Sequence, residues 1–314
     1  MLETNQSTQP VKFSNPDFTL DNKKRAQVPF VQLDTLWINT GTLCNLTCKN
    51  CYIESSPTND RLSYISFAEV KAYVDEIKDN QWPTKVIGFT GGEPFMNPDF
   101  IQSLEYCLTN GFECLVLTNA MQPLKKKYEQ ALDLNKRFPK LLKLRVSLDH
   151  YTEVEHNNER GKRAWKFAME GLNWLNENNF NISIAGRSIT GESQEVITKG
   201  YSSLFDSMNL KIDVNDPEQL TVFPEMDEDK DTPEITTECW RILKKKPSSI
   251  MCANSRMVVK HRGQEKPSVV ACTLIPYDDE FTYDSTLKSS MKPIKLNHSH
   301  CSRFCVLGGG ACSV

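Results

Sequence analysis

The chain alternates short apolar runs with amphipathic stretches. Leu36-Trp37-Ile38-Asn39 reads as a strand, and Lys85-Val86-Ile87-Gly88-Phe89-Thr90 as a buried one. Between them, Ser66-Phe67-Ala68-Glu69 has the form of a capping box, with Val70, Val74 and Ile77 following on one helical face. A helix from Asp99 to about Thr109 stops at Asn110-Gly111, a pair suited to closing a helix. Further strands are predicted at Cys114–Leu117, Leu142–Leu148, Asn181–Ala185 and Leu220–Phe223. Helical stretches separate them, around Arg163–Asn178 and Gln194–Met208 among others. Strands alternating with helices predict a parallel sheet with right-handed crossovers. Periodicity alone does not separate an incomplete barrel from a doubly wound sheet. In both, ligands gather at the C-terminal ends of the strands. The segments 44–51, 91–93, 118–119 and 147–149 all fall at such ends.

Composition narrows the class. The 314 residues are 39% hydrophobic and 25% charged, ordinary for a globular protein. A net charge of −3 gives no reason to expect nucleic acid as a partner. The runs Lys125–Lys127 and Lys244–Lys246 read as solvated helix ends. No apolar stretch reaches the length of a membrane span, and the first residues lack a basic-then-apolar signal. Residues 1–30 are polar, with Pro10, Pro16 and Pro29, and read as an extended arm or partly disordered leader. Eleven cysteines in such a chain argue for metal chemistry in a reducing, cytoplasmic compartment rather than for disulfides.

Three of those cysteines carry the sharpest chemistry. Cys44, Cys48 and Cys51 form a C-x3-C-x2-C loop after the first strand. A [4Fe–4S] cluster normally takes four cysteines, so three leave one iron open to an outside ligand. The spacing does not match the paired C-x2-C of zinc sites, although a zinc loop borrowing a distant fourth ligand is the alternative. Gly91-Gly92-Glu93-Pro94 follows the second strand. Two glycines there let backbone approach a ligand closely.

Taken together, the two motifs resemble those of the radical S-adenosylmethionine (radical SAM) enzymes. The resemblance implies an α/β fold, a partial (β/α)6 TIM-like barrel. It implies a [4Fe–4S] cluster on Cys44, Cys48 and Cys51 whose open iron is chelated by S-adenosyl-L-methionine (SAM). Reductive cleavage of SAM would release a 5′-deoxyadenosyl radical that abstracts a hydrogen atom. Gly91, Gly92 and Glu93 would help to seat SAM, with Tyr52 as the aromatic flanking the last cysteine. Asn119, in Thr118-Asn119, and Ser147 and Asp149, in a segment continuing to His156 and Arg160-Gly161, resemble a branch that modifies peptides and small metabolites. There the strand-end polar group is expected at the SAM ribose. Arg187 is placed to hold the SAM carboxylate; a surface salt bridge is the plainer reading. The expected partners are a peptide or small-molecule substrate and an electron donor such as flavodoxin or ferredoxin, with no nucleic acid and no membrane.

The expected division is an arm at 1–30, a radical SAM core at 31–235 and a small cysteine-rich C-terminal extension at 236–314. Cys107, Cys114 and Cys239 read as packing. The extension holds Cys252, Cys272, Cys301, Cys305 and Cys312, with Gly308-Gly309-Gly310 before the last. It is loosely similar to the SPASM and twitch-type extensions that carry an auxiliary [4Fe–4S] cluster, with four of these five cysteines as ligands. A zinc site using His298 or His300, or an unmetallated lid, are the alternatives. Two further classes stay open for the whole protein: a non-catalytic iron–sulfur carrier or sensor, and a zinc-stabilised binding module.

Overall fold

A computed structural model describes residues 11–225 and 231–311. Its centre is a nine-stranded sheet. Six strands run in chain order across it: β2 (Thr35–Asn39), β3 (Val86–Thr90), β4 (Glu113–Thr118), β5 (Leu142–Ser147), β6 (Asn181–Arg187) and β7 (Leu220–Phe223), following the short β1 (Gln27–Val28). Every neighbouring pair is parallel, which requires a crossover each time. The crossovers carry α1 (Phe67–Asp79), α2 (Phe100–Thr109), α3 (Gln122–Lys125), α4 (Tyr128–Arg137), α5 (Glu153–Arg160), α6 (Ala164–Glu177) and α7 (Gln194–Ser207). The Ser66 capping box opens α1 as expected, and α2 closes at Asn110 with Gly111 in the left-handed region at φ +85°. This is the partial (β/α)6 arrangement. Among the described residues it stays open, with β7 at the edge of the sheet.

The extension does not stand apart from this sheet. After the short α8 (Cys239–Ile242), β8 (Ser255–Val259) pairs in parallel with β2, so a seventh parallel strand joins on the side away from β3. β9 (Ser268–Val270) and β10 (Thr282–Tyr283) then add antiparallel. β11 (Ile294–Lys295) pairs with β1 in a separate two-stranded ribbon. Residues 11–30 are extended but held fast. Arg25 is buried and its guanidinium meets Glu234 at 2.5 Å, while Ala26 N–H donates to Ile235 O.

Both faces of the sheet are covered, as parallel sheets require. Leu36, Ile38, Val116, Leu144 and Ile184 pack outward under Val74, Leu104, Leu172 and Phe205 of the helices. Trp37, Leu115, Ala185 and Phe223 face the other way, into a second cluster shared with Met257, Val270, Phe304 and Val306. The C-terminal segment thus fills the inner face. No helix among the described residues is long and apolar enough to cross a membrane.

Candidate functional site

Parallel pairing of β2 with β3 in the register Asn39↔Thr90 ends both strands at the same level. The two loops that follow therefore meet. Thr40 N–H donates to Thr90 O, Gly92 N–H to Gly41 O and Glu93 N–H to Leu43 O. This is how motifs 40 residues apart become one site. A cavity of about 180 Å³ opens above these strand ends. It is lined by Cys44, Cys48, Cys51, Tyr52, Gly91, Gly92, Asn119, Ser147, Asp149 and Arg187, ten of the eleven residues the sequence assigned to cluster and SAM.

The cysteine loop is anchored on every side. Cys44 N–H donates to Ser56 O, and Lys49 N–H to Glu159 O. The Sγ of Cys44 accepts from Leu46 N–H at 3.4 Å, and that of Cys51 from Ser55 N–H at 3.3 Å. Such bonds favour a thiolate. Burial nevertheless pushes the Cys44 thiol up to about 12, against the pull of Leu46 N–H, and raises that of Cys48. Metal ligation must remove these protons. Asn119 Nδ2 donates to Asn45 Oδ1 at 2.9 Å, tying the end of β4 to the same loop.

Glu93 lies one layer behind, not on the cavity wall. Its carboxylate accepts from Thr118 Oγ1 at 2.9 Å, Asn119 N–H at 2.8 Å and Phe95 N–H at 3.3 Å. These bonds fix Thr118 and Asn119 at the end of β4. Burial raises its carboxyl to about 7 despite these donors. The folded chain then holds this proton over a range, from the ordinary 4.5 up to about 7, in which the unfolded chain has released it. The unfolded state binds fewer protons there, so stability falls as pH rises through that window. We expect Glu93→Ala to strip acceptors from Thr118 and Asn119 at about 1–3 kcal/mol each. Its denaturation midpoint should fall, and its pH profile should lose the decline that the parent shows relative to it.

Polar groups close the opposite wall. Arg160 Nε and Nη2 grip Asp149 at 2.7 and 2.9 Å, a bidentate pair. Burial alone would raise the Asp149 carboxyl; the Arg160 charge beside it outweighs that and holds it low. Arg160 also lines the cavity and was missed as a site residue. Arg187 Nη1 donates to Asn50 O at 2.9 Å and Nη2 to Glu225 at 3.1 Å, with the guanidinium over the Tyr52 ring. Arg187 does make the salt bridge of its plainer reading, to Glu225, but from a buried position. Among the described residues, its Nε and the Ser55 Oγ are buried without a hydrogen-bond partner, and both residues face the cavity. Three thiols, a backbone cradle and unmatched polar atoms on one cavity are a donor set that fits an iron–sulfur cluster with a polar ligand.

A second, small apolar pocket is lined by Cys252, Cys272, Cys301 and Cys305, with His300 beside them. Cys252 precedes β8 and Cys272 follows β9, so the hairpin returns them to one place. Cys301 and Cys305 lie on a π-helix, Cys301–Leu307. Burial pushes Cys252 up to about 11 and raises Cys301, where Cys272 and Cys252 add to the effect. Cys312 lies outside the described residues. Among the described residues, no three His, Cys, Asp or Glu side chains converge as the ligand set of a single metal ion. His298 stacks edge-on against His300, whose Nδ1 meets Leu274 O. Gly308 and Gly310 lie close against Phe304.

Comparison with known proteins agrees with this geometry. The family described as the Radical SAM superfamily matches residues 38–197. A 121-residue stretch, 38% of this chain, is 34% identical to the antilisterial bacteriocin subtilosin biosynthesis protein AlbA of Bacillus subtilis, and covers 25% of it. A 135-residue stretch, 43% of this chain, is 27% identical to an AdoMet-dependent heme synthase of Oleidesulfovibrio alaskensis, covering 33% of that protein. The chain thus spans a quarter to a third of the length of these curated relatives. Among solved structures, Streptococcus suis SuiB bound to S-adenosylmethionine superposes with a TM-score of 0.57 at 14% identity, over 81% of this chain and 63% of SuiB. That likeness concerns the fold.

Proposed function

The chain belongs to the radical SAM superfamily of enzymes, which use a [4Fe–4S] cluster and SAM, and from that premise we propose that it abstracts a hydrogen atom from a peptide substrate. The observation that carries this reading is the single cavity shared by Cys44, Cys48, Cys51, Gly91, Gly92, Asn119 and Arg187. In this reading the three cysteines hold the cluster. Cluster and SAM together supply a carbon radical able to abstract hydrogen. The protein's part is to bind, orient and exclude water. The unpartnered Arg187 Nε offers a charged donor to the SAM carboxylate. Ser147 and the Asp149–Arg160 pair present polar groups from the end of β5. Trp37, Leu117, Phe223 and Leu274 make the rest of the wall apolar, which keeps water from quenching the chemistry.

A peptide is preferred because the AlbA relative is named for the biosynthesis of a bacteriocin. A small-molecule substrate is the second reading, favoured by the heme synthase match. Cys252, Cys272, Cys301 and Cys305 are proposed as ligands of an auxiliary [4Fe–4S] cluster of the SPASM or twitch type, supported by their shared pocket. An external one-electron donor of the flavodoxin or ferredoxin kind completes the scheme.

The test is anaerobic reconstitution with iron and sulfide, then reduction with dithionite in the presence of SAM. The expected products are 5′-deoxyadenosine and methionine, formed faster when a peptide selected from a synthetic library is added. Full iron loading with no SAM cleavage would sink the enzymatic reading and leave an electron carrier. Cleavage indifferent to the peptide would turn the choice toward a small molecule.

A further inference from the structure

The π-helix Cys301–Leu307 borders both cavities at once. Cys301 and Cys305 line the second pocket, while Phe304, three residues after one and next to the other, lines the main one. π-helical turns are rare and concentrate at functional sites. Phe304 is fully buried, edge-on to Tyr52 at 6.1 Å and tilted against Phe223 at 5.4 Å. Those two partners explain its position. Tyr52 follows β2 in the cysteine loop, and Phe223 ends β7, the free edge of the open sheet. Phe304 therefore spans the gap between the free edge and the cysteine loop, the side a closed barrel would have sealed with strands.

The turn is clamped so that the ring cannot easily leave. Gly310 N–H donates to Phe304 O at 2.8 Å, and a Cβ on Gly310 would stand 2.6 Å from the Phe304 ring. A Cβ on Gly308 would lie 2.3 Å from Arg303 O. The glycine run thus lets the chain close over the back of the ring. Lys245 Nζ donates to Val306 O at 2.5 Å and Ser302 Oγ to Pro233 O at 2.7 Å, holding the turn from outside.

We propose that Phe304 is a positioning residue behind the wall of the main cavity, set in place by metal ligation at Cys301 and Cys305, and that it fixes Tyr52 and Phe223 where the wall meets cofactor and substrate. This rests on reading both cysteine groups as metal sites. Ligation would fix two points of the turn on either side of the ring. Occupancy of the second site then reaches the substrate wall through one turn of backbone, with no longer path required. Phe223 packs on the ring and lines the cavity with Leu274, so that stretch of the wall is hydrocarbon.

The experiment uses anaerobic, fully reconstituted protein with 4-fluorophenylalanine at position 304, and SAM as the probe. The fluorine resonance should move on SAM addition and saturate with the affinity read from the cluster's electron paramagnetic resonance. In the Cys301→Ser/Cys305→Ser protein it should shift before SAM is added and respond less, while the first loop keeps about four irons. A resonance blind to SAM overturns the cavity assignment. Identical behaviour with and without the cysteine pair overturns the coupling. Phe304→Ala provides an independent reading. Removing a ring from an apolar wall leaves room for a benzene-sized guest, so toluene should bind about tenfold or more tighter than to the parent, a difference of about 1.4 kcal/mol. Equal toluene binding overturns the role of the ring in filling the wall. Loss of iron from the first loop in the parent protein is a failure of the underlying cluster reading and is seen directly in the iron count.

Discussion

Alanine at Cys44, Cys48 and Cys51 together is expected to abolish SAM cleavage and leave the protein folded. The cluster would lose its thiolates and SAM its open iron. The fold should survive because backbone bonds anchor the loop: Thr42 N–H to Leu62 O, Cys44 N–H to Ser56 O and Lys49 N–H to Glu159 O, none of which involves a thiol. The variant also isolates the second pocket. If Cys252, Cys272, Cys301 and Cys305 carry a cubane, about four irons per chain remain, against about eight in the parent. Iron counting with Mössbauer spectroscopy decides the point. One zinc and no iron would indicate a tetrahedral structural site, and neither metal would make the extension a lid. SAM cleavage at the parental rate would refute the first-loop assignment outright.

The core strands and the strand-end motifs were legible because parallel sheets write themselves plainly. The apolar run Val86–Thr90 is largely buried and Leu142–Ser147 alternates apolar with polar residues, each a plain strand signal, and the register of β2 on β3 converts sequence order into adjacency at the site. The extension was harder to read. β8, β9 and β10 are three short strands joined without crossover helices, so no change of period announces them. That β8 pairs with β2 follows from tertiary packing alone. Arg160 sits in the polar helix α5, where periodicity gives no reason to turn it toward the site; the Asp149 carboxylate at the end of β5 draws its guanidinium in, leaving the side chain 14% exposed. Phe304 carries no motif at all. A single aromatic between two cysteines becomes a cavity wall only through the π-helical turn and the glycines that close over it.

Gly92→Val is expected to damage cluster assembly and SAM binding together. Backbone approach at this glycine suggested room kept for a ligand, and on that view SAM affinity alone would suffer. The neighbours point elsewhere. A Cβ on Gly92 would fall 2.1 Å from Leu43 O, 2.5 Å from Leu43 C and 2.8 Å from Thr42 O. These are backbone atoms of the cysteine loop, one residue from Cys44. They have no slack to yield, since Gly92 N–H and Glu93 N–H are bonded to Gly41 O and Leu43 O on either side. Overpacking of this kind costs about 1–3 kcal/mol where side chains can adjust, and more where they cannot. Here the loop itself must move, carrying Cys44 with it. Even Gly92→Ala should show the effect, because the clash begins at Cβ. Iron per chain and SAM affinity, measured on the same anaerobic samples, are expected to fall in parallel. Full iron with weakened SAM binding would mean that the glycine faces the ligand. Full iron with normal binding would reduce the pair to an ordinary turn.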